Sequence, residues 1–189
     1  MIKVTTSRLE LVPASLELIQ AELDSYAKLA SALGVRVPEG WPPGEYDRPA
    51  IEHFKARLSE NPKHVGWYGW YAILRSDGTE PANLVGTGGF FGPPTADQVV
   101  EIGYSIVPSF AGRGYATEFV RALAEHAFST GKVSRVVAHT TLQNVGSVKV
   151  LEKAGFRFVG AGKAPGTVEY ECGHQAASIG EGSTKIDLT

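Results

Sequence analysis
The chain has 189 residues, 43% hydrophobic and 20% charged, with a formal net charge of −2 and one cysteine. That length suits one domain with a small appendage and enough buried surface for a real core. No basic block points to nucleic acid or an anionic membrane, no apolar run is long enough to span a bilayer, and a lone Cys172 excludes an internal disulfide; a cytoplasmic setting is the expectation.

Residues 8–12 read as a short strand stopped by Pro13. Over residues 15–33, Leu16, Ile19, Leu23 and Tyr26 fall on one face at helical spacing, which predicts one helix ended by Gly34. Residues 35–49 form a Pro- and Gly-rich loop containing Trp41-Pro42-Pro43. A second helix is predicted over 51–58, ended by Asn61-Pro62. Strands follow over 66–74, an aromatic run closed by Ser76-Asp77-Gly78, then over 84–91 and 99–107. In the last of these, Val100, Ile102, Tyr104 and Ile106 alternate onto one face. A helix over 117–130 buries Phe119, Val120, Leu123 and Ala127 and stops at Gly131. A strand over 133–141 leads to a helix over 145–154, capped by Asn144 and ended by Gly155. Strands over 156–160 and 167–172 flank the turn Ala164-Pro165-Gly166, and the small, polar tail after Gly173 is expected to be mobile. No internal repeat or second domain is visible.

The densest chemistry lies in residues 101–118, E-I-G-Y-S-I-V-P-S-F-A-G-R-G-Y-A-T-E. A strand runs into a glycine turn that opens a helix, an arrangement that suits a phosphate. Gly112 and Gly114 let the backbone approach a ligand, and Arg113 can add a charge-assisted hydrogen bond. A P-loop is excluded because no Lys-Ser/Thr pair follows the second glycine. A dinucleotide loop is disfavoured because Thr117 replaces a small residue and no acid follows on the next strand. Taken alone, a glycine turn without a ligand is an equal reading. The histidines lack ligand spacing, and Cys172 with His174 is a weak pair, so no metal is expected.

Two motifs at this separation, the loop above and N-V-G-S-V-K-V-L-E-K-A-G-F at residues 144–156, resemble the GNAT superfamily of N-acetyltransferases. The second motif and the opening T-S-R-L-E-L-V-P at residues 6–13 are similar to its ribosomal-protein alanine and serine N-acetyltransferase branch. The resemblance covers nearly all of residues 6–172, with one departure: Ala111 stands where a Gln or Arg is usual. It implies an α+β fold, a single GNAT-like domain over 1–172 with a central, mostly antiparallel mixed twisted sheet, helices on both faces, and a splay near Val107. It also implies direct transfer of an acetyl group from acetyl-CoA, the co-substrate, to an amine. The pyrophosphate would lie on Gly112, Arg113, Gly114, Tyr115 and Ala116, and the pantetheine arm on Asn144 and the backbone from Ile106 and Val107 to Pro108.

Glu101 is the expected base, acting through water, because Val100 and Ile102 point the other way; by pattern alone it is a solvated strand glutamate. His139 is the rival base. Ser147 is the expected partner of the leaving thiolate, since the tyrosine common in the family is missing from its helix; it also reads as a helix hydroxyl bonding its own backbone. On the acceptor side stand Trp41, Pro42, Pro43 and Tyr46 in the loop, with Phe90 and Phe91 near the cleft, an aromatic wall for an apolar group or a cation. The acceptor is either a protein N-terminal amine or a small-molecule amine. A homodimer is compatible with the resemblance. A non-catalytic acyl-CoA-binding regulatory module is the alternative.

Overall fold
Alternation within the strands assigns each helix to a face of the sheet. The computed structural model describes residues 2–174 and 185–188. Its strands are β1 (Ile2–Thr5), β2 (Leu9–Pro13), β3 (Gly69–Leu74), β4 (Asn83–Phe90), β5 (Val99–Ile106), β6 (Arg135–Thr140), β7 (Arg157–Ala161), β8 (Val168–Gly173) and β9 (Lys185–Leu188). The helices are α1 (Leu16–Asp24), α2 (Tyr26–Leu33), α3 (Arg48–Glu60), α4 (Tyr115–Ser129) and α5 (Val145–Lys153). The strands lie in the order β7-β8-β6-β5-β4-β3-β2-β1-β9. All these pairs are antiparallel except β5–β6, which is parallel.

In β3, Trp70 and Ala72 join a core with Phe119 and Leu123 of α4 and Leu151 of α5. Tyr71 and Ile73 turn to the opposite face and pack with Ile19, Leu29, Ile51 and Leu58 of α1 to α3. One strand thus feeds two cores, as its period of two requires. The expected α+β architecture, with a mixed sheet and helices on both faces, is what is found. Among the described residues no helix is long and apolar enough to cross a membrane.

Several elements differ from the sequence reading; β3, expected from residue 66, starts at Gly69. The helix expected over 15–33 is two, because Ser25 is extended (φ −172°, ψ 153°) and caps α2, its hydroxyl accepting from the Lys28 N–H at 3.2 Å. A serine can trade helix continuation for such a cap. Tyr26, expected on the buried face, is therefore 46% exposed. Helix α3 starts three residues early, since Asp47 caps the Ala50 N–H and Pro49 suits the first turn. Strand β1, unforeseen, pairs Val4 with Leu11. Part of the expected mobile tail, β9, pairs with β1; residues 175–184 and 189 lie outside the described residues.

The pairing of β5 with β6 ends at Glu101↔Val137, although β5 continues to Ile106 and β6 to Thr140. The sheet therefore opens from Ile102 onward, several residues before Val107.

Candidate active site
A cleft of about 730 Å³ occupies this opening. Strand alternation sets which backbone groups face it. The Val107 N–H donates to the Val85 carbonyl at 2.9 Å, and the Glu101 carbonyl accepts from Phe91 at 3.1 Å. Odd-numbered residues of β5 thus direct their amides at β4, and Tyr104 and Ile106 direct theirs at the splayed side. The Val107 carbonyl accepts from Phe110 at 2.9 Å. Of the expected backbone contacts, Ile106 turns its peptide groups to the splayed side, whereas those of Val107 are engaged within the protein.

On one face of the opening stands a row of charge. Val136 and Ala138 of β6 are buried in the α4–α5 core, so His139 points to the opposite face, the one Glu101 occupies. Glu101 Oε1 lies 2.9 Å from His139 Nδ1, and His139 Nε2 lies 3.1 Å from Glu169 Oε2. Carboxylates only accept, so both contacts are hydrogen bonds at once only with the doubly protonated ring. The Lys163 ammonium, in the β7–β8 turn, donates to Glu101 Oε2 at 2.7 Å. Partial burial pushes the Glu101 carboxyl up, but the hydrogen bonds and charges of Lys163 and His139 together outweigh it and hold the carboxyl below its ordinary value. Sequence reasoning named His139 only as a rival to Glu101; the two are partners. Glu169 and Lys163 went unnoticed, although the alternation of β8, with Val168 and Tyr170 buried, puts Glu169 on the same face as His139.

On the other face of β5, Tyr104 places a phenol hydroxyl beside Ser147. Its Oη lies 3.0 Å from Ser147 Oγ and donates to the Ser147 carbonyl at 3.2 Å. Burial pushes the phenol up to about 12, against the opposing hydrogen bond from Ser147, so it keeps its proton at neutral pH. Asn144 caps α5, its Oδ1 accepting from the Ser147 N–H at 3.1 Å. Asn144, Ser147, Tyr104 and Glu101 all line the cleft. The expected absence of a tyrosine concerned α5 alone; Tyr104 comes from β5, where its alternation had marked it as core.

The glycine turn has the expected conformation. Gly112 (φ +75°) and Gly114 (φ +82°) are left-handed, and α4 starts at Tyr115 with no side-chain cap. Its first N–H groups and the positive end of its dipole suit an anion. Tyr115 is buried in the core, so only its backbone serves the turn. Arg113 is exposed and leans over Phe110, 5.8 Å from the ring centre, and Ala116 is half-buried. The donor set fits a pyrophosphate.

The loop expected on the acceptor side is tied down from within. Glu22, 3% exposed, accepts from Trp41 Nε1 at 2.8 Å, from Tyr46 Oη at 2.9 Å and from Tyr71 Oη at 2.6 Å. Trp41 is thereby turned into the core, and Tyr46 reaches the cleft. Gly44 takes φ +61°, and a Cβ there would displace Ser105 Oγ, so glycine suits the loop where it lies against β5. Phe90 is buried and Phe91 is 64% exposed at the cleft mouth.

Residues 8–157 match the model of the acetyltransferase (GNAT) domain. An uncharacterized N-acetyltransferase of Bacillus subtilis (strain 168), YjdG, is 32% identical over 156 residues, covering 82% of this chain and 90% of its own length. Two solved structures share the fold. The ribosomal-protein-S5-alanine acetyltransferase of Vibrio fischeri has a TM-score of 0.64 at 17% identity, covering 92% of this chain and 97% of its own. RimJ of Mycobacterium smegmatis, in complex with CoA-disulfide, has a TM-score of 0.59 at 22% identity, covering 92% of this chain and 88% of its own. With its splayed mixed sheet and glycine turn, the chain belongs to the GNAT family of acetyltransferases and is an acyl-CoA-dependent N-acetyltransferase.

Proposed function
We propose that the enzyme transfers an acetyl group from acetyl-CoA to an amine of low pKa, of the α-amine type, carried by a protein N-terminus or by an amino-acid-like small molecule. Acetyl-CoA supplies the acetyl group as an activated thioester. Backbone N–H groups at Gly112, Arg113, Gly114, Tyr115 and Ala116 hold its pyrophosphate, and Ile106 and Asn144 receive the pantetheine arm. The Tyr104 and Ser147 hydroxyls form a coupled donor pair, and the Tyr104 proton, directed at the Ser147 carbonyl in the free enzyme, turns to the leaving sulfur. Glu101, held as a carboxylate, orients the acceptor amine and takes its proton, directly or through water.

One observation carries the choice of acceptor: both oxygens of Glu101 are already bonded, to His139 and Lys163. A carboxylate stabilised in this way attracts a proton weakly. An α-amine, with a pKa near ~8, needs little help at neutral pH, whereas a lysine-type amine near ~10.4 must lose roughly 3 pH units' worth of free energy, about 4–5 kcal/mol. The exposed Phe91 and the cleft-lining Tyr46 and Phe54 support an apolar group beside that amine. The test is CoA release from acetyl-CoA with three acceptors: a peptide with a free N-terminus, an amino acid amide, and an Nα-blocked lysine. Either of the first two should turn over faster at pH 7. Preference for the blocked lysine would overturn the reading.

A further inference from the structure
The loop before β2 reaches across the molecule to the glycine turn. Glu118, in the first turns of α4, receives four hydrogen bonds and an ion pair from three consecutive residues there. Its Oε1 accepts from Thr6 Oγ1 at 2.5 Å, Ser7 Oγ at 3.0 Å and the Arg8 N–H at 2.8 Å. Its Oε2 accepts from Arg8 Nε at 2.7 Å and pairs with the charge at Arg8 Nη2, also 2.7 Å away. The remaining terminal nitrogen, Arg8 Nη1, donates to the Arg113 carbonyl at 2.9 Å. The guanidinium lies over the Tyr115 ring, 4.6 Å from its centre. It also closes on Gly114, where an added Cβ would sit 3.3 Å from Arg8 Nη2.

The consequence follows from peptide geometry. In a trans peptide the carbonyl of one residue and the N–H of the next point in opposite directions. Holding the Arg113 carbonyl toward Arg8 therefore aims the Gly114 N–H away from it. Left-handed glycines are the most permissive backbone positions, and two of them flank this peptide. Without an external hold, the turn could rotate its N–H groups out of alignment.

We propose that Arg8, locked by Glu118, is a positioning residue for the pyrophosphate of acetyl-CoA. It fixes the Arg113–Gly114 peptide so that the turn presents its N–H groups, and it adds a positive charge beside them. This rests on the reading that acetyl-CoA binds at the glycine turn.

Calorimetric titration separates the possibilities. Wild type, Arg8→Gln and Glu118→Gln are titrated with acetyl-CoA and with S-acetylpantetheine, which lacks the pyrophosphate. Arg8→Gln should weaken acetyl-CoA binding by about tenfold or more, the size of one lost charge-assisted hydrogen bond, and Glu118→Gln by less. The dissociation constant for S-acetylpantetheine should stay within twofold of wild type in both. If Arg8→Gln does not fold, Glu118→Gln carries the test. Wild-type affinity for acetyl-CoA in the folded variants would overturn the proposal. So would an equal loss for both ligands, which marks general damage. A wild-type protein that binds S-acetylpantetheine as well as acetyl-CoA would instead overturn the underlying assignment of the pyrophosphate site.

Discussion

The Tyr104 and Ser147 hydroxyls lie 3.0 Å apart, joining the strand and the helix that flank the open part of the sheet. Two hydroxyls in contact can share one task. Tyr104→Phe should lower kcat by about 10²-fold or more, the range for a positioned proton donor. Ser147→Ala should cost less, because the phenol remains. The double variant should fall short of the product of the two effects, as expected for residues acting as a unit. Single-turnover rates with saturating acetyl-CoA check this. Strict multiplicativity would mean that the two act separately.

Glu101→Gln should slow transfer at pH 7 by about tenfold or more, because an amine of pKa ~8 is about one-tenth neutral there and its orientation is also lost. The deficit should shrink toward pH 10, where solvent supplies the neutral amine. The held-down pKa of Glu101 keeps it ionised across this range, so the narrowing reports on the acceptor alone. A deficit equal at both ends would leave Glu101 with positioning only.

The carboxyl of Glu22 is pushed up by burial, only partly offset by hydrogen bonds from Tyr71, Trp41 and Tyr46. A raised folded pKa favours the protonated form. Its stabilising contribution is complete below the unfolded value near ~4.3 and is lost as pH rises through the folded value. Glu22→Gln fixes the neutral form and removes that loss. The difference in Tm between Glu22→Gln and wild type should therefore move in favour of the variant from pH 4 to pH 7. Glu22→Leu strands three buried donors at about 1 kcal/mol or more each and should lower Tm by roughly 6–12 °C. Thermal melts across pH measure both.

Acetyl-CoA at 100 times its dissociation constant should stabilise the wild type by roughly 2.7 kcal/mol. Gly114→Val forces a branched side chain to φ +82° with Arg8 Nη2 close by, and should abolish most of that shift. Melting curves with and without acetyl-CoA decide it; an undiminished shift in the variant would move the pyrophosphate elsewhere.

Local signals in the sequence were read well where they depend on neighbours a few residues away. The glycine turn opens α4 as its left-handed positions require, and the alternation of β5 does turn Glu101 away from Val100 and Ile102. What stayed hidden depends on pairing across the chain. That His139 meets Glu101 follows from the parallel register of β5 and β6, which no local pattern encodes. The β7–β8 turn that brings in Lys163 is legible as a turn, but its reach is not. Tyr104 shows another limit: alternation says which face a side chain takes, not where the tip of a long one ends. The break at Ser25 was missed because the apolar spacing runs on through it. Strands β1 and β9 are four residues each and owe their order to partners rather than to their own composition.

The parting of β5 from β6 puts an unfinished ladder in the interior of the sheet. Exposed ladders at a rim recruit other proteins and are an aggregation hazard. Here the groups left over are those of Tyr104 and Ile106, enclosed between β4 on one side and β6 and α5 on the other. The same chemistry that would make a rim sticky here suits a slender, extended molecule with amides of its own.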